Sequence, residues 1–220
     1  ESKEIFIGYE VLSASSILTH SINQEKLKQI RNNHISTDAL YCNFTSGSTG
    51  DPKGILISHA SVIDFIAIFT KTLNLKHTDI LANQAPFDFD VSVKDIYSTL
   101  YLGAQTLLIP RQYFTKPIDL INFIGSATIY IWAVSALIFL NKMKVFSYKI
   151  PKIRKIIYSG EIMPNKHLIK LKEYLPNTEF INVYGPSEIT CNCTFHILKN
   201  KDLAHNEHII GTPFANRRVL

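Results

Sequence analysis

Cysteine is scarce in this sequence: 220 residues contain three, Cys42, Cys191 and Cys193. An odd count with no secretory signal at the start of the chain argues against a disulfide framework. Cys191 and Cys193 form a Cys-x-Cys pair, but a structural zinc site needs four ligands and no second pair exists. The eight histidines show no metal-ligand spacing. The thiols are therefore expected to be buried or incidental. Long apolar runs are also missing. The strongest candidate, Ile129 to Leu140, contains Trp132 and Ser135, is too short to span a bilayer, and reads as a buried strand running into a helix. No repeat or low-complexity linker is present. The formal charge is +5, yet no aromatic-and-basic motif accompanies it. The densest basic group, Lys142, Lys144, Lys149, Lys152, Arg154 and Lys155, reads as one solvated face. Neither a nucleic-acid nor a membrane partner is expected.

What is present is an ordinary globular balance, 46% hydrophobic and 19% charged. The length permits a sizeable core and one or two domains. Residues 1–38 carry few chemical signals, although Gln24 to Arg31 reads as a helix with Leu27 and Ile30 on one face. From Ala39 onward the pattern alternates. Strands are predicted at Ala39–Phe44, Ile55–Ile57, Asp79–Asn83, Thr106–Ile109, Thr128–Ile131, Ile153–Tyr158 and Glu179–Val183. Helices are predicted through Val62, Phe65, Ile66 and Phe69, through Val93, Ile96, Tyr97 and Leu100, and near Ile118–Ile124, Ala136–Lys142 and Asn165–Tyr174. This order predicts an α/β fold with a mainly parallel sheet flanked by helices. Ligands of such sheets gather at the carboxyl ends of the strands, where Asp90, Ser159–Glu161 and Tyr184–Glu188 all fall.

The chemistry is densest in Phe44 to Gly54, Phe-Thr-Ser-Gly-Ser-Thr-Gly-Asp-Pro-Lys-Gly. Glycines let a backbone turn tightly and bring N–H groups close to an anion. Thr45, Ser46, Ser48 and Thr49 add hydroxyls, and Lys53 adds a positive charge. The loop reads either as a surface turn or as a phosphate cradle. It is not the common phosphate loop, because Lys53 is followed by Gly54 and a strand rather than by a helix. The ordered string resembles the phosphate-binding signature of the adenylate-forming enzymes, the superfamily of acyl-CoA synthetases, luciferases and peptide-synthetase adenylation domains. Four further segments resemble that family in the same order: Phe89-Asp-Val-Ser-Val93, Tyr158-Ser-Gly-Glu161, Asn182-Val-Tyr-Gly-Pro-Ser-Glu188 and Ile210-Gly-Thr-Pro-Phe214. Ser187 stands where the family usually has Thr, and Ser159 where it usually has Gly. The nearest subgroup is that of amino-acid adenylation domains and D-alanine:carrier-protein ligases.

The resemblance implies a set of roles. Thr45, Ser46, Gly47, Ser48, Thr49, Gly50 and Lys53 would hold the β- and γ-phosphates of ATP. Ser187 would contact the α-phosphate, and Glu188 would help hold Mg²⁺. Tyr184 would stack on adenine, Asn182 and Gly160 would border the base, and Glu161 and Gly185 would also belong to the nucleotide site. Lys53, Ser187 and Glu188 would be the catalytic residues. Asp90 would pair with the α-ammonium of an amino-acid substrate; its alternative reading is an N-cap of the following helix. Val91, Lys94, Ile131, Ile157, Ser159, Val183 and Cys191 would wall the substrate pocket. The prolines usual after the Ile131 strand are missing from Ala133-Val-Ser-Ala136, which puts that position in doubt. Lys94 would either pair with an acidic substrate side chain or point to solvent beside Asp95.

The implied function is activation of an amino acid by ATP to an aminoacyl-adenylate and pyrophosphate, with transfer to the phosphopantetheine thiol of a carrier protein, in the cytoplasm. A CoA ligase for a simple acid and a non-catalytic scaffold are the alternatives. The sequons at Asn43 and Asn192 carry no meaning in that compartment. Residues 1–38 are expected to end a preceding subdomain or connecting segment, and residues 39–220 to be the ATP- and substrate-binding portion. The family's ribose-binding Asp and C-terminal lysine have no match here. The chain is expected to be the central part of the family's large N-terminal domain, without the C-terminal domain.

Overall fold

A computed structural model of the chain describes residues 13–45, 51–203 and 209–219. The chain divides into two compact units, Glu1–Asp38 and Ala39–Leu220. In the first, α1 (Ala14–Leu18) and α2 (Gln24–Asn33) are capped by Ser13 and Asn23, whose side chains accept from Ser16 N–H and Lys26 N–H. Capping of this kind satisfies backbone donors that have no partner inside the helix. No residue of α2 is buried.

The second unit opens with a hairpin, β1 (Ala39–Thr45) and β2 (Lys53–Ser58), paired antiparallel so that Thr45 faces Lys53. The hairpin forms a two-stranded sheet of its own. Ser58 then caps α3 (His59–Thr72), accepting from Ser61 N–H at 3.2 Å. The main chain continues through β3 (Ile80–Asn83), α4 (Ser92–Leu102), β4 (Gln105–Leu108), α5 (Pro117–Phe123), β5 (Ile129–Ala133), α6 (Val134–Lys142), α7 (Val145–Tyr148), β6 (Lys155–Ser159), α8 (Asn165–Tyr174), β7 (Glu179–Tyr184), β8 (Thr194–Ile197) and β9 (Thr212–Pro213).

These strands form a seven-stranded sheet in the order β4-β3-β5-β6-β7-β8-β9. The first five are parallel, and β8 and β9 run antiparallel. The expected α/β architecture, a mainly parallel sheet flanked by helices, is what the chain adopts. The antiparallel pair β8 and β9 is an addition, too short to show a period in sequence.

Because successive strand residues point to opposite faces, β5 to β7 bury both. Tyr130, Trp132, Ile156, Tyr158 and Phe180 pack with α5 to α8 on one side. Ile129, Ile131, Ile157, Ile181 and Val183 pack with α3, Val93 and Phe214 on the other. The Trp132 indole donates to Ala82 O at 2.8 Å, which satisfies its one polar atom inside the core.

Two expectations are corrected here. The basic group is not one solvated face: Arg154 pairs with the buried Asp79, and Lys155 is buried and paired with Glu179. These pairs lie at the amino ends of β3, β6 and β7, away from the carboxyl ends. The inward face of α4 also differs. Val93 is buried as expected, but Leu100 is 71% exposed, and Ser92, Lys94, Asp95 and Ser98 are buried instead. Apolar periodicity misassigned the face because the interior beneath α4 is polar. Asn83 donates to Asp95 at 3.0 Å and to Ala85 O at 3.1 Å. Burial pushes the Asp95 carboxyl up to about 7, against the opposing effects of Asn83 and Lys94.

Candidate functional site

Three sequence-distant segments meet beyond the carboxyl ends of the parallel strands. One is the turn from Pro86 to Asp90 that leads from β3 into α4. The second is Ser159–Glu161 after β6. The third follows β7 as Tyr184-Gly-Pro186, a 3-10 turn at Ser187–Ile189, and residues Thr190–Cys193. β4 and β5 flank β3 on opposite sides, so the crossover direction reverses there. Such a switch point opens a crevice at the strand ends.

The first and third segments are joined directly. Ser187 Oγ donates to Asp90 Oδ2 at 2.7 Å across 97 residues of sequence, and Cys191 Sγ donates to Asp90 O at 3.3 Å. The N-cap of α4 is Val91, with no side-chain cap bond. The capping alternative for Asp90 is thereby overturned: its carboxylate turns toward Ser187 rather than toward the helix N–H groups. Val91 itself is half-buried.

Lys94 links the second and third segments. Its Nζ donates to Ser159 Oγ at 3.2 Å and to Asn192 Oδ1 at 3.1 Å, and its side chain is 1% exposed. The solvent alternative for Lys94 is overturned. Desolvation lowers its pKa despite the nearby Cys191, Asp95 and Asp90. Both partners are neutral oxygens.

The third segment has an unusual backbone. Thr190 and Cys191 both have positive φ, 66° and 65°. Non-glycine residues adopt this region at a cost of about 1–2 kcal/mol each. Gly185 is required by a close approach to the same segment: a Cβ there would lie 2.5 Å from Asn192 Cα and 2.8 Å from Cys191 O. The Cys191 thiol is buried, and desolvation pushes its pKa up to about 12. Tyr41 on β1 completes the cluster. Its hydroxyl is buried beside the Cys191 thiol, and burial, with Cys191 and Asp90 nearby, raises its pKa above the usual range.

The hairpin reaches the same place, since β2 runs within 8 Å, Cα to Cα, of the Ser187–Ile189 turn. Lys53 is exposed at the start of β2, opposite Thr45. Ser46, Gly47, Ser48, Thr49 and Gly50 lie outside the described residues. Glu188 is exposed beside the half-buried Ser187.

A cavity of about 380 Å³ opens beside this cluster. Its lining includes Gly160, Asn182 and Tyr184, expected at the base, and Glu161 and Gly185, expected in the nucleotide site. Tyr184 is half exposed, and Asn182 Nδ2 donates to Ile209 O at 2.9 Å. The cavity also takes in Tyr158, the first residue of the Tyr158–Glu161 string, together with His196 and Asp202, which no motif had pointed to. His196 and Asp202 belong to β8 and to the 3-10 turn Asn200–Leu203. Their pairing at 2.8 Å shows only when both are placed.

The expected pocket wall divides. Ser159 meets Lys94, and Cys191 meets Asp90. Ile131, Ile157 and Val183 pack with Val93 and Phe214 in the core, and Val183 also lines the cavity. Among the described residues the three thiols form no disulfide. Among the described residues no group of three or more His, Cys, Asp or Glu could hold a metal ion, and no helix is long and apolar enough to cross a membrane.

Residues 6–220 match the family described as AMP-binding enzyme. The D-alanine–D-alanyl carrier protein ligase of Bacillus cytotoxicus is 30% identical over 205 residues, 87% of this chain and 41% of that protein. The chain thus spans about two fifths of that relative's length. Among solved structures, the Vibrio cholerae adenylation domain AlmE, in complex with glycyl-adenosine-5'-phosphate, superposes with a TM-score of 0.74 at 23% identity, covering 86% of this chain and 36% of that one. A nonribosomal peptide synthetase protein containing adenylation and PCP domains gives a TM-score of 0.71 at 24% identity, covering 83% and 36%.

Proposed function

Because the chain belongs to the AMP-binding enzyme family, we propose that it is the nucleotide- and acid-binding part of an adenylate-forming ligase that activates an amino acid. The observation that carries this reading is the 2.7 Å hydrogen bond between Ser187 and Asp90. In the proposed roles, Ser187 meets the α-phosphate and Asp90 meets the substrate ammonium. An amino acid whose carboxylate must reach the α-phosphorus has its amine only two bonds further on. The two contacts therefore have to be neighbours, and they are.

The reaction would form a bond between a substrate carboxylate oxygen and the α-phosphorus. The bond from that phosphorus to the bridging oxygen breaks, and pyrophosphate leaves. Such in-line chemistry depends on positioning and charge neutralisation more than on covalent help. Lys53 and the loop it closes would hold the leaving phosphates. Asp90 would orient the acid through its ammonium, a charge-assisted bond in a half-buried place. Tyr184 would hold the base by stacking.

Magnesium is commonly bound by one or two carboxylates together with substrate phosphates, not by an all-protein cage. The exposed Glu188 carboxylate, next to Ser187 and without a cluster of further ligands, suits that donor set. When bound there, the ion would neutralise charge on the phosphates.

The relative's name supplies the acceptor: a carrier protein, whose phosphopantetheine thiol would attack the adenylate carbonyl. A thioester forms, AMP leaves, and the thiol proton passes to water. D-Alanine is the first substrate to try, on the same ground.

Amino-acid-dependent ATP–pyrophosphate exchange tests the reading. The panel holds D- and L-alanine, glycine, glutamate and amine-free acids. Exchange with an amino acid supports the proposal, and glutamate alone would point to Lys94. Exchange only with amine-free acids would move the function to a CoA ligase. ATP binding without any exchange would favour a scaffold.

A further inference from the structure

Asp90 is held at more points than its carboxylate. Its carbonyl accepts from Val93 N–H at 3.1 Å and from the Cys191 thiol at 3.3 Å, and its Oδ2 accepts from Ser187 at 2.7 Å. The N–H of Asp90 remains. Among the described residues no backbone carbonyl takes it, and a half-buried backbone donor needs a partner. That partner is Asn43 on β1. The nitrogen and oxygen of a side-chain amide are assigned by the groups they face. With Oδ1 toward Asp90, Asn43 accepts Asp90 N–H at 3.3 Å, and its Nδ2 donates to Cys42 O at 3.3 Å.

Alternate residues of a strand share a face, so Tyr41, Asn43 and Thr45 form one row on β1. All three are half-buried, whereas Cys42 and Phe44 between them are exposed. Tyr41 brings its hydroxyl beside the Cys191 thiol. Asn43 takes the Asp90 N–H. Thr45 stands opposite Lys53 and opens the loop proposed to hold phosphate. The strand that leads into that loop is thus bonded to the peptide that carries the proposed ammonium partner. A polar side chain placed on the inward face of a strand costs free energy unless its bonds are made, and here they are made to Asp90.

We infer that Asn43 is a positioning residue: from the strand that leads into the phosphate loop it fixes the peptide of Asp90, and so sets where the carboxylate meets the substrate ammonium. The inference rests on the proposed role of Asp90. Without Asn43, the Asp90 peptide turns toward water to satisfy its N–H, and the carboxylate turns with it. The amino acid is then held less well, while the nucleotide is held as before.

Pyrophosphate exchange by Asn43→Ala, with ATP and the amino acid varied in turn, tests this. The probes are D-alanine, L-alanine and glycine. One neutral hydrogen bond corresponds to about five- to tenfold, so KM for the amino acid should rise by about that factor. KM for ATP should stay within about twofold. A double-mutant cycle with Asp90→Ala separates positioning from mere support. Because Asn43 acts through the Asp90 carboxylate, adding Asn43→Ala to Asp90→Ala should cost nothing further. Equal losses in the two backgrounds overturn the inference and mark Asn43 as structural. So does an unchanged KM for the amino acid, or an equal rise in both KM values. Asn43→Val, whose branched side chain suits a strand, gives the same readings should the alanine variant not fold. Exchange that Asp90→Ala leaves intact would overturn the role of Asp90, and this inference with it. Exchange lowered by Asp90→Ala but untouched by Asn43→Ala overturns the inference alone.

Discussion

Replacing Asp90 by alanine separates its chemical role from any structural one. On the structural side the loss is small. The helix it precedes takes no cap from its side chain. What disappears is one hydrogen bond, from Ser187 at 2.7 Å. Both residues are half-buried, so water can replace the missing acceptor. The cost is about 1 kcal/mol, or roughly 2–4 °C in Tm for a chain of this size. On the chemical side the loss is large. Removing the partner of an ammonium in a partly dehydrated site costs about 3 kcal/mol, a hundredfold or more in kcat/KM. Asp90→Ala should therefore melt within a few degrees of the unaltered protein, while amino-acid-dependent pyrophosphate exchange falls by two orders of magnitude. ATP affinity should change little. Exchange that survives the substitution, or that falls only in proportion to the folded fraction, would refute the ammonium role.

Gly185→Ala places a methyl carbon 2.5 Å from Asn192 Cα, where only backbone can give way; chemical denaturation should show a loss of about 2 kcal/mol or more, whereas Gly160, with open space around its Cβ position but φ +93°, should cost only the backbone strain. Lys94→Met tests the buried ammonium. The folded-state pKa of Lys94 lies below its ordinary 10.5, so between those two values the unfolded chain binds the extra proton and stability rises with pH. The Met variant should lack that rise, and parallel stability curves for the two proteins through the alkaline range would contradict it. Thiol alkylation of the native protein near pH 8, followed by mass spectrometry, should modify the exposed Cys42 quickly and leave Cys191, buried and pushed up to about 12, unmodified. Rapid labelling of Cys191 would show that the turn bearing it opens freely.

The parts of this fold that were legible in sequence are those with a strong period or a specific string. β5 running into α6 and the helix Asn165–Tyr174 stand where apolar spacing puts them. The residues expected around the base line one cavity because the string around Tyr184 follows a strand whose neighbour ends in Ser159-Gly160. The failures are equally physical. Periodicity assumes an apolar interior, so α4 was turned with Leu100 inward, whereas Lys94, Asp95 and Ser98 occupy that side. A buried lysine held by Ser159 and Asn192 has no local signature, since its partners lie 65 and 98 residues away. His196 and Asp202 form a pair only because a four-residue strand and a 3-10 turn bring them together.

The turn at Thr190 and Cys191 bears on the order in which the site assembles. Two consecutive left-handed residues without glycine cost about 2–4 kcal/mol in an isolated segment, so the free segment adopts this shape only as a minor conformer. Besides local backbone bonds, two remote ones hold it: Cys191 binds the backbone at Asp90, and Asn192 binds the ammonium of Lys94. Neither remote anchor exists until α4 has docked on the sheet. The groups proposed to meet substrate and phosphate are thus brought into register late, by a completed scaffold, and a lesion anywhere under α4 should silence the chemistry well before it unfolds the protein.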